Sequence, residues 1–138
     1  MKSARHEEIG DALANAARHS GVHIVISEFM RADRFMIMLK NDELVFFAGE
    51  IEMTERNCIN NCLRDLRSLS ADAATIICPN DHIRQRIAAK ISKHLPKKLQ
   101  QRVHIFVEDD LRNGTFAKWI AQWPVGACAS AKDTEQTS

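Results

Sequence analysis

Two apolar runs joined by a short polar turn constrain the fold of this chain more than any other feature. The first run is RFMIMLK at 34–40, the second is ELVFFAGEIEM at 43–53, and Asn41 and Asp42 lie between them. Asn and Asp favour tight hairpin turns, so the pattern predicts two neighbouring antiparallel strands. Because side chains alternate along a strand, residues 44, 46, 48, 50 and 52 share one face of the second strand.

Three acidic residues lie at the ends of these two strands. Asp33 opens the first strand, and Glu50 and Glu52 close the second on one face. Like charges at this spacing repel unless a cation or a basic group joins them, and divalent metals favour carboxylate oxygens. The pattern predicts a metal site formed by Asp33, Glu50 and Glu52. The alternative is that the two glutamates are solvated, or are paired with arginines of the following helix.

The periodicity along the chain predicts the element order α-β-β-β-α-β-α-β, followed by a short last helix. Ser3, Thr54 and Asp81 have the chemistry of helix N-caps. The predicted helices span 3–19, 54–69, 81–95 and 115–123, and the predicted strands span 22–29, 34–40, 43–53, 74–79 and 103–107. This order indicates an α/β fold with a mixed central sheet flanked by helices on both sides.

The length of 138 residues suits a single domain, which we predict over 1–124, with a disordered polar tail at 125–138. The net charge of +1 means that nucleic-acid binding would need a local basic patch. No apolar run reaches the roughly 20 residues that cross a bilayer, and the N-terminal segment lacks the apolar core of a signal peptide. We therefore expect no membrane contact and a cytoplasmic location.

Several small motifs limit the chemistry. The sequence contains neither GxGxxG nor GxxxxGK, and its four cysteines lack the paired CxxC spacing of a structural zinc site. We predict that Cys62 and Cys78 are small core residues and that Trp119 and Trp123 cover the core. His104 alternates with apolar residues in a strand, so it is expected on the side opposite its core-facing neighbours.

Two groups of basic and amide residues are candidates for phosphate contacts. The first lies along one side of the helix after the acidic motif, and the second flanks Pro96. The candidate nucleic-acid-binding residues are Arg56, Asn60, Arg64, Lys90, Lys97 and Lys98. Such residues bind a nucleic-acid backbone in a salt-dependent way, but equally they form the solvated faces of ordinary helices.

The element order, with an acidic residue opening the second strand and ExE closing the third, resembles the PD-(D/E)XK nuclease superfamily, which has the restriction-endonuclease-like fold. The family core is an α-β-β-β-α-β unit, and its signature is Pro-Asp followed by (D/E)-x-K. Within the superfamily, the stretch GEIEMTERNCINNCLRDL is similar to nuclease-like domains associated with DNA-translocating ATPases. The resemblance covers about residues 5–107.

Residue by residue, the resemblance implies that Asp33 and Glu50 are the two carboxylates that hold Mg²⁺ or Mn²⁺. Glu52 takes the place of the lysine that, in the family, orients or deprotonates the attacking water. It implies a catalytic set of Asp33, Glu50 and Glu52. A glutamate at this place can act as a general base or bind a second metal, but it cannot donate hydrogen bonds to an oxyanion while ionised.

The resemblance also implies two accessory residues. Glu7 or Glu8 matches the first-helix glutamate of some members, with Glu8 taken as the accessory residue, and Arg56 is a candidate to restore the positive charge lost with the lysine. Ala32 replaces the proline of the signature.

Three functional hypotheses follow. The first is a metal-dependent DNA phosphodiester hydrolase, in which water is the nucleophile. The second is a catalytically inactive nuclease-fold module that binds nucleic acid or a protein partner, with a homodimer as a further expectation. The third is a small α/β protein with neither role.

Overall fold

A computed structural model of the chain describes residues 2–123. Within them, a five-stranded mixed open sheet is flanked by helices, which confirms the predicted α/β class. The strands are β1 Ile24–Phe29, β2 Ala32–Lys40, β3 Glu43–Ile51, β4 Ala73–Cys78 and β5 Val103–Val107. The α-helices are α1 Ala4–His19, α2 Cys58–Leu63, α3 Asp81–His94, α4 Lys97–Gln100 and α5 Thr115–Gln122.

The strands lie in the sheet in the order in which they occur along the chain. β1, β2 and β3 form an antiparallel meander, whereas β4 is parallel to β3 and β5 is parallel to β4. The predicted hairpin is confirmed, because Asn41 (φ 53°) and Asp42 (φ 66°) both adopt the left-handed backbone of a tight turn and Lys40 pairs with Glu43. Parallel neighbours need crossover connections, and helices supply them between β3 and β4 and between β4 and β5.

The two faces of the sheet are covered by different helices. On one face α1 and α5 pack through Leu13 and Phe116 against Phe47 in a single core. On the other face α2 and α3 cover β4 with Cys62, Ile76 and Ile87 among the buried side chains, and Cys78 lies in the same core, as predicted for Cys62 and Cys78. The remaining part of that second face, over β1 and β2, is only partly covered.

Two predicted helix caps are wrong. The prediction for Ser3 is confirmed, since its Oγ accepts a hydrogen bond from the His6 amide over 3.1 Å. The third helix is capped by Asn80 rather than by Asp81, because the Asn80 Oδ1 accepts from the Ile83 amide over 3.0 Å. Thr54 caps no helix: its Oγ1 accepts from the Arg56 amide over 3.3 Å in a local turn, and α2 begins only at Cys58.

The predicted continuous helix 54–69 ends in a π-helical turn. α2 is followed directly by π-helical residues Arg64–Ser68. The wider turn changes which side chains point toward the sheet, and Asp65 becomes completely buried. Such π-turns occur mostly as short insertions and are frequent at functional sites.

The predictions for the aromatic residues and the last part of the chain have mixed outcomes. Trp119 and Trp123 pack against the core as expected. His104 lies on the opposite side of β5 from Val103 and Ile105, as expected. Its ring packs there against Trp119, with 4.6 Å between ring centroids, which the pattern did not predict. A 3₁₀ turn, Glu108–Leu111, and the short α4 were not predicted. The predicted tail 125–138 and Cys128 lie outside the described residues. Across residues 2–123, every helix is too short or too polar to span a membrane.

Candidate acidic site

The three predicted acidic residues are all buried near the ends of β2 and β3. Their exposed fractions are 5% for Asp33, 2% for Glu50 and 6% for Glu52. The alternative in which the glutamates are solvated is therefore wrong. The π-helical turn adds a fourth carboxyl group, that of Asp65, which is fully buried. We call Asp33, Glu50, Glu52 and Asp65 the acidic cluster.

Three nitrogen groups from different parts of the chain lie against the Asp33 carboxylate. Its Oδ2 accepts from the Ile51 amide over 2.8 Å, so the side chain takes the place of a strand carbonyl at the start of β2. The His6 Nε2 lies 3.3 Å from the same oxygen, and the Lys2 Nζ lies 2.5 Å from Oδ1. Asp33 thus joins the start of α1 to the end of β3.

Glu50 is paired with Arg64, the first residue of the π-helical turn. The Arg64 Nη2 donates to the Glu50 Oε2 over 2.6 Å and lies 3.4 Å from the Asp65 Oδ1. This is the predicted alternative in which a glutamate pairs with an arginine of the following helix. One guanidinium therefore faces two buried carboxyl groups.

Glu50 and Asp65 are close enough to share a proton. Burial raises the pKa of the Glu50 carboxyl, and its hydrogen bond with Asp65 raises it further. Burial also raises the pKa of Asp65. Because two carboxylates in contact repel each other in a site of low polarity, the pair keeps a proton near neutral pH.

Glu52 lies just beyond the end of β3 and is fixed by α2. The Asn61 Nδ2 donates to its Oε2 over 2.7 Å, and the Asn61 Oδ1 accepts from the Arg64 Nη1 over 3.2 Å. Burial raises the pKa of Glu52 to about 7, although the hydrogen bond from Asn61 acts in the opposite direction. Glu52 and Glu50 are thus connected through Asn61 and Arg64.

The two predicted accessory residues lie away from these contacts. Glu8 is exposed and pairs with Arg5, while His6 is the residue of α1 that reaches Asp33. The Arg56 side chain is exposed, and its backbone carbonyl accepts from the Lys90 Nζ over 3.1 Å.

The predicted nucleic-acid-binding residues are distributed over three surfaces. Arg64 contacts Glu50 of the acidic cluster, and Asn60 is exposed on α2. Lys90 on α3 is half-buried, and its Nζ donates to backbone carbonyl groups of the loop before α2. Lys97 and Lys98 are exposed on α4.

The pattern analysis missed Lys2, His6, Asn61 and Asp65. Lys2 and His6 are about thirty positions from Asp33 in the sequence, and nothing in their local pattern points to it. Asp65 would lie on the polar side of a regular helix, so its burial depends on the π-helical turn. The contact between Asn61 and Arg64 could have been predicted from the sequence. The two residues are three positions apart, and side chains at this spacing are neighbours on a helix.

The oxygen-rich composition of the acidic cluster suits a hard divalent cation such as Mg²⁺ or Mn²⁺. Several carboxylate oxygens of the cluster are already in contact with other side chains, however. Lys2 contacts Asp33, Arg64 contacts Glu50, and Asn61 donates to Glu52. Across residues 2–123, no three His, Cys, Asp or Glu side chains are arranged to hold a metal ion. Comparisons of the chain with protein-family models, with curated proteins and with solved structures gave no match.

Proposed function

We propose that the chain is a metal-dependent phosphodiester hydrolase that acts on DNA. The observation that carries the proposal is the burial of four carboxyl groups at one end of the sheet, in contact with only two lysine or arginine side chains among residues 2–123. Burying carboxyl groups together is unfavourable unless they are paired or bind a cation. Four buried carboxyl groups with only two cationic partners are the composition expected of a cation-binding site.

The fold supports the same proposal. A helix, a three-stranded meander, a crossover helix and a parallel fourth strand follow one another, as in the α-β-β-β-α-β core of the PD-(D/E)XK nucleases. Asp33 lies at the start of β2 and Glu50 near the end of β3, the places that the family signature assigns to its carboxylates. We therefore propose the restriction-endonuclease-like topology for this chain.

Asp33 and Glu50 are the residues that would hold Mg²⁺ or Mn²⁺, and Asp65 contacts Glu50 from the π-helical turn. When bound, such a cation makes water more acidic and stabilises the charge that develops on phosphate. For the cation to bind, Lys2 must release Asp33 or Arg64 must release Glu50. The Ile51 amide holds one oxygen of Asp33, which fixes the orientation of that carboxylate before anything binds.

Glu52 is the residue that we assign to proton transfer from the attacking water. Its Oε2 accepts from Asn61, so the carboxyl group is fixed while the second oxygen remains available. A carboxylate accepts a proton but cannot perform the second role of a lysine, which is to attract the phosphate. Glu52 can therefore perform only one of the two roles that the lysine has in the family, which is to accept the proton of the attacking water.

Lys2 and Arg64 provide the positive charge that Glu52 cannot. Both cationic groups contact the acidic cluster, and their side chains remain 36% and 21% exposed. A phosphate at the mouth of the site would attract both groups away from the carboxylates. Arg56, which we expected to restore this charge, is instead exposed in the loop before α2.

Exposed polar and basic residues would contact the rest of a DNA backbone. Asn60 is exposed on α2 and Arg56 in the loop before it, on the side of the acidic cluster. Lys97 and Lys98 are exposed on α4, which precedes β5 and therefore lies toward the other end of the sheet. Phosphate contacts of this kind position a duplex without reading its sequence. We expect the resulting affinity to fall as the salt concentration rises.

The test is a titration of the protein with MgCl₂ or MnCl₂ by calorimetry, followed by a cleavage assay on plasmid and oligonucleotide DNA. Asp33→Asn and Glu50→Gln should each abolish cation binding and cleavage, because each replaces a carboxyl ligand with an amide while retaining the shape of the side chain. Asp109→Asn is the matched control, since Asp109 is an exposed aspartate in the 3₁₀ turn, and it should behave like the wild type. Cleavage that is unchanged in Asp33→Asn would contradict the assignment.

The second candidate is a nuclease-fold module that binds nucleic acid or a protein without catalysis. It is favoured by one observation, which is that Lys2 and Arg64 already neutralise the carboxylates from within the chain. Under this reading DNA binds equally well with Mg²⁺ or with a chelator, and no cleavage product forms. Metal-dependent cleavage that Glu50→Gln eliminates would rule this reading out.

A further inference from the structure

One face of the meander carries apolar side chains that no helix covers fully. The residues that point to this side are identified by the strand register, in which Ile24 pairs with Ile37 and Leu39 pairs with Leu44. We call this surface the open face, and it comprises Ile24, Ile26, Ile37, Leu39, Leu44 and Phe46. Three of its members, Ile24, Leu39 and Leu44, are 50%, 51% and 60% exposed.

The open face is unusual for an antiparallel meander. Such sheets commonly bury one face and solvate the other, so apolar and polar residues alternate along each strand. Here the opposite face of β2 already packs Met36 and Met38 into the core with α1 and α5. The strand is therefore apolar on both faces, as strands are when both faces are buried.

We infer that the open face is where a second copy of this chain docks, with the strands of the two copies running in opposite directions. The charges at the two ends of the face carry this choice. Asp42 is exposed in the β2–β3 turn, and Arg31 is exposed in the β1–β2 turn, at the other end of β2. Among the residues that the structure describes, Asp42 and Arg31 form no ion pair with each other or with other side chains. Glu43 follows Asp42, but it points to the opposite face from Leu44 and lies across from Lys40.

A two-fold axis across the strands places each acidic turn of one copy over Arg31 of the other. A two-fold axis along the strands would instead bring the two acidic turns together, which is unfavourable. Glu28 lies at the same end as Arg31, but it is near Lys2, whose charge offsets it. The charges therefore select one of the two symmetric arrangements of a face-to-face pair.

The size of the open face fits a weak, reversible homodimer. A face three strands wide, with β2 spanning nine residues, measures about 14 by 30 Å from the strand spacing and rise. Together with the two turns that border it, this face lies below the roughly 800 Å² that a standard interface buries on each partner. We therefore expect a dissociation constant on the order of micromolar.

The test is sedimentation velocity of the full chain over a range of concentrations around that value. The wild type should shift from monomer to dimer as the concentration rises. The double variant Leu39→Lys, Leu44→Lys should remain monomeric, and because both side chains are at least half exposed its circular dichroism and unfolding curve should stay close to the wild type. Ala121→Lys is the matched control: Ala121 is exposed on α5, which packs on the opposite face of the sheet, and its variant should still dimerise.

A charge exchange tests the orientation. Arg31→Glu should weaken the dimer at least tenfold, and adding Asp42→Arg to it should restore much of the lost affinity, since the two residues would then pair with opposite signs. A wild type that is monomeric at every concentration would overturn the inference. So would a lysine double variant that dimerises like the wild type, and a charge exchange without recovery would overturn the antiparallel arrangement.

Discussion

The guanidinium of Arg64 lies between the buried carboxyl groups of Glu50 and Asp65, 2.6 Å from the first and 3.4 Å from the second. Arg64 can reach both because the chain forms a π-helical turn at this point. The turn thus places a counterion where β3 ends in an acidic residue.

Replacing Arg64 with glutamine should destabilise the fold by about 2 kcal/mol at neutral pH, because the carboxyl groups lose their cation but stay buried. The loss should become smaller in acid, where the carboxyl groups take up protons. Urea unfolding at neutral and acidic pH measures both effects. Glu50→Gln is the matched control, and its free energy of unfolding should stay within about 1 kcal/mol of the wild type. An Arg64→Gln variant as stable as the wild type at neutral pH would contradict this account.

The pKa of Glu52 predicts how stability depends on pH. Burial raises this pKa to about 7 in the folded chain, against an ordinary value of 4.5. The folded state therefore binds the proton more tightly than the unfolded state, and stability falls as the pH rises from about 4.5 to about 7. Glu52→Gln should remove roughly 3 kcal/mol of this fall. The measurement is urea unfolding of both proteins across that range, and curves of equal slope would contradict the prediction.

Gly49 of β3 leaves room for the side chain of Leu13 on α1. A Cβ at this position would lie 2.7 Å from the Leu13 Cδ2, and Leu13 is fully buried. Gly49→Ala should therefore cost about 2 kcal/mol of stability, although alanine otherwise suits a strand better than glycine. In a Leu13→Ala background the cost should shrink, because the clashing atom is gone. Equal costs in the two backgrounds would show that the contact is not responsible.

The β1–β2 turn is strained beside the acidic cluster. Met30 and Arg31 have φ values of 47° and 78°, and neither is glycine. Met30→Gly should stabilise the fold by about 1 kcal/mol in thermal or urea unfolding, because glycine adopts this backbone without steric strain. Ser27→Gly is the control in the extended strand β1, where the same change should destabilise. If both variants were destabilised, the turn would not be storing strain.

The parts of the fold that could be predicted from sequence depend on local patterns. The hairpin between β2 and β3 follows from Asn41-Asp42 and two apolar runs, and the cap at Ser3 follows from its place before an amphipathic stretch. Asp33, Glu50 and Glu52 were found because alternation and strand ends are visible in the sequence. These three residues were expected to lie close together because the pairing of β2 with β3 alone brings them to the same end of the sheet.

The parts that could not be predicted depend on contacts between distant residues. Lys2 reaches Asp33 because α1 crosses the sheet, and no pattern near Lys2 indicates this. The π-helical turn places Arg64 and Asp65 against Glu50. The helical pattern of 54–69 does not reveal this turn, because the contact with Glu50 comes from a distant part of the chain. The open face was also hidden, because an apolar strand alone does not reveal whether both of its faces are covered.

The order of strands in the sheet has a consequence for how this chain folds. β1, β2 and β3 pair with their neighbours in sequence, whereas the crossover that adds β4 closes a longer loop. Because short loops cost less entropy to close, we expect the meander to form before β4 joins it. While the meander stands alone, Glu50 and Glu52 are still hydrated at its end. They lose their water only when the crossover docks, and the same step delivers Arg64 and Asn61, so the charges and their partners leave the solvent together.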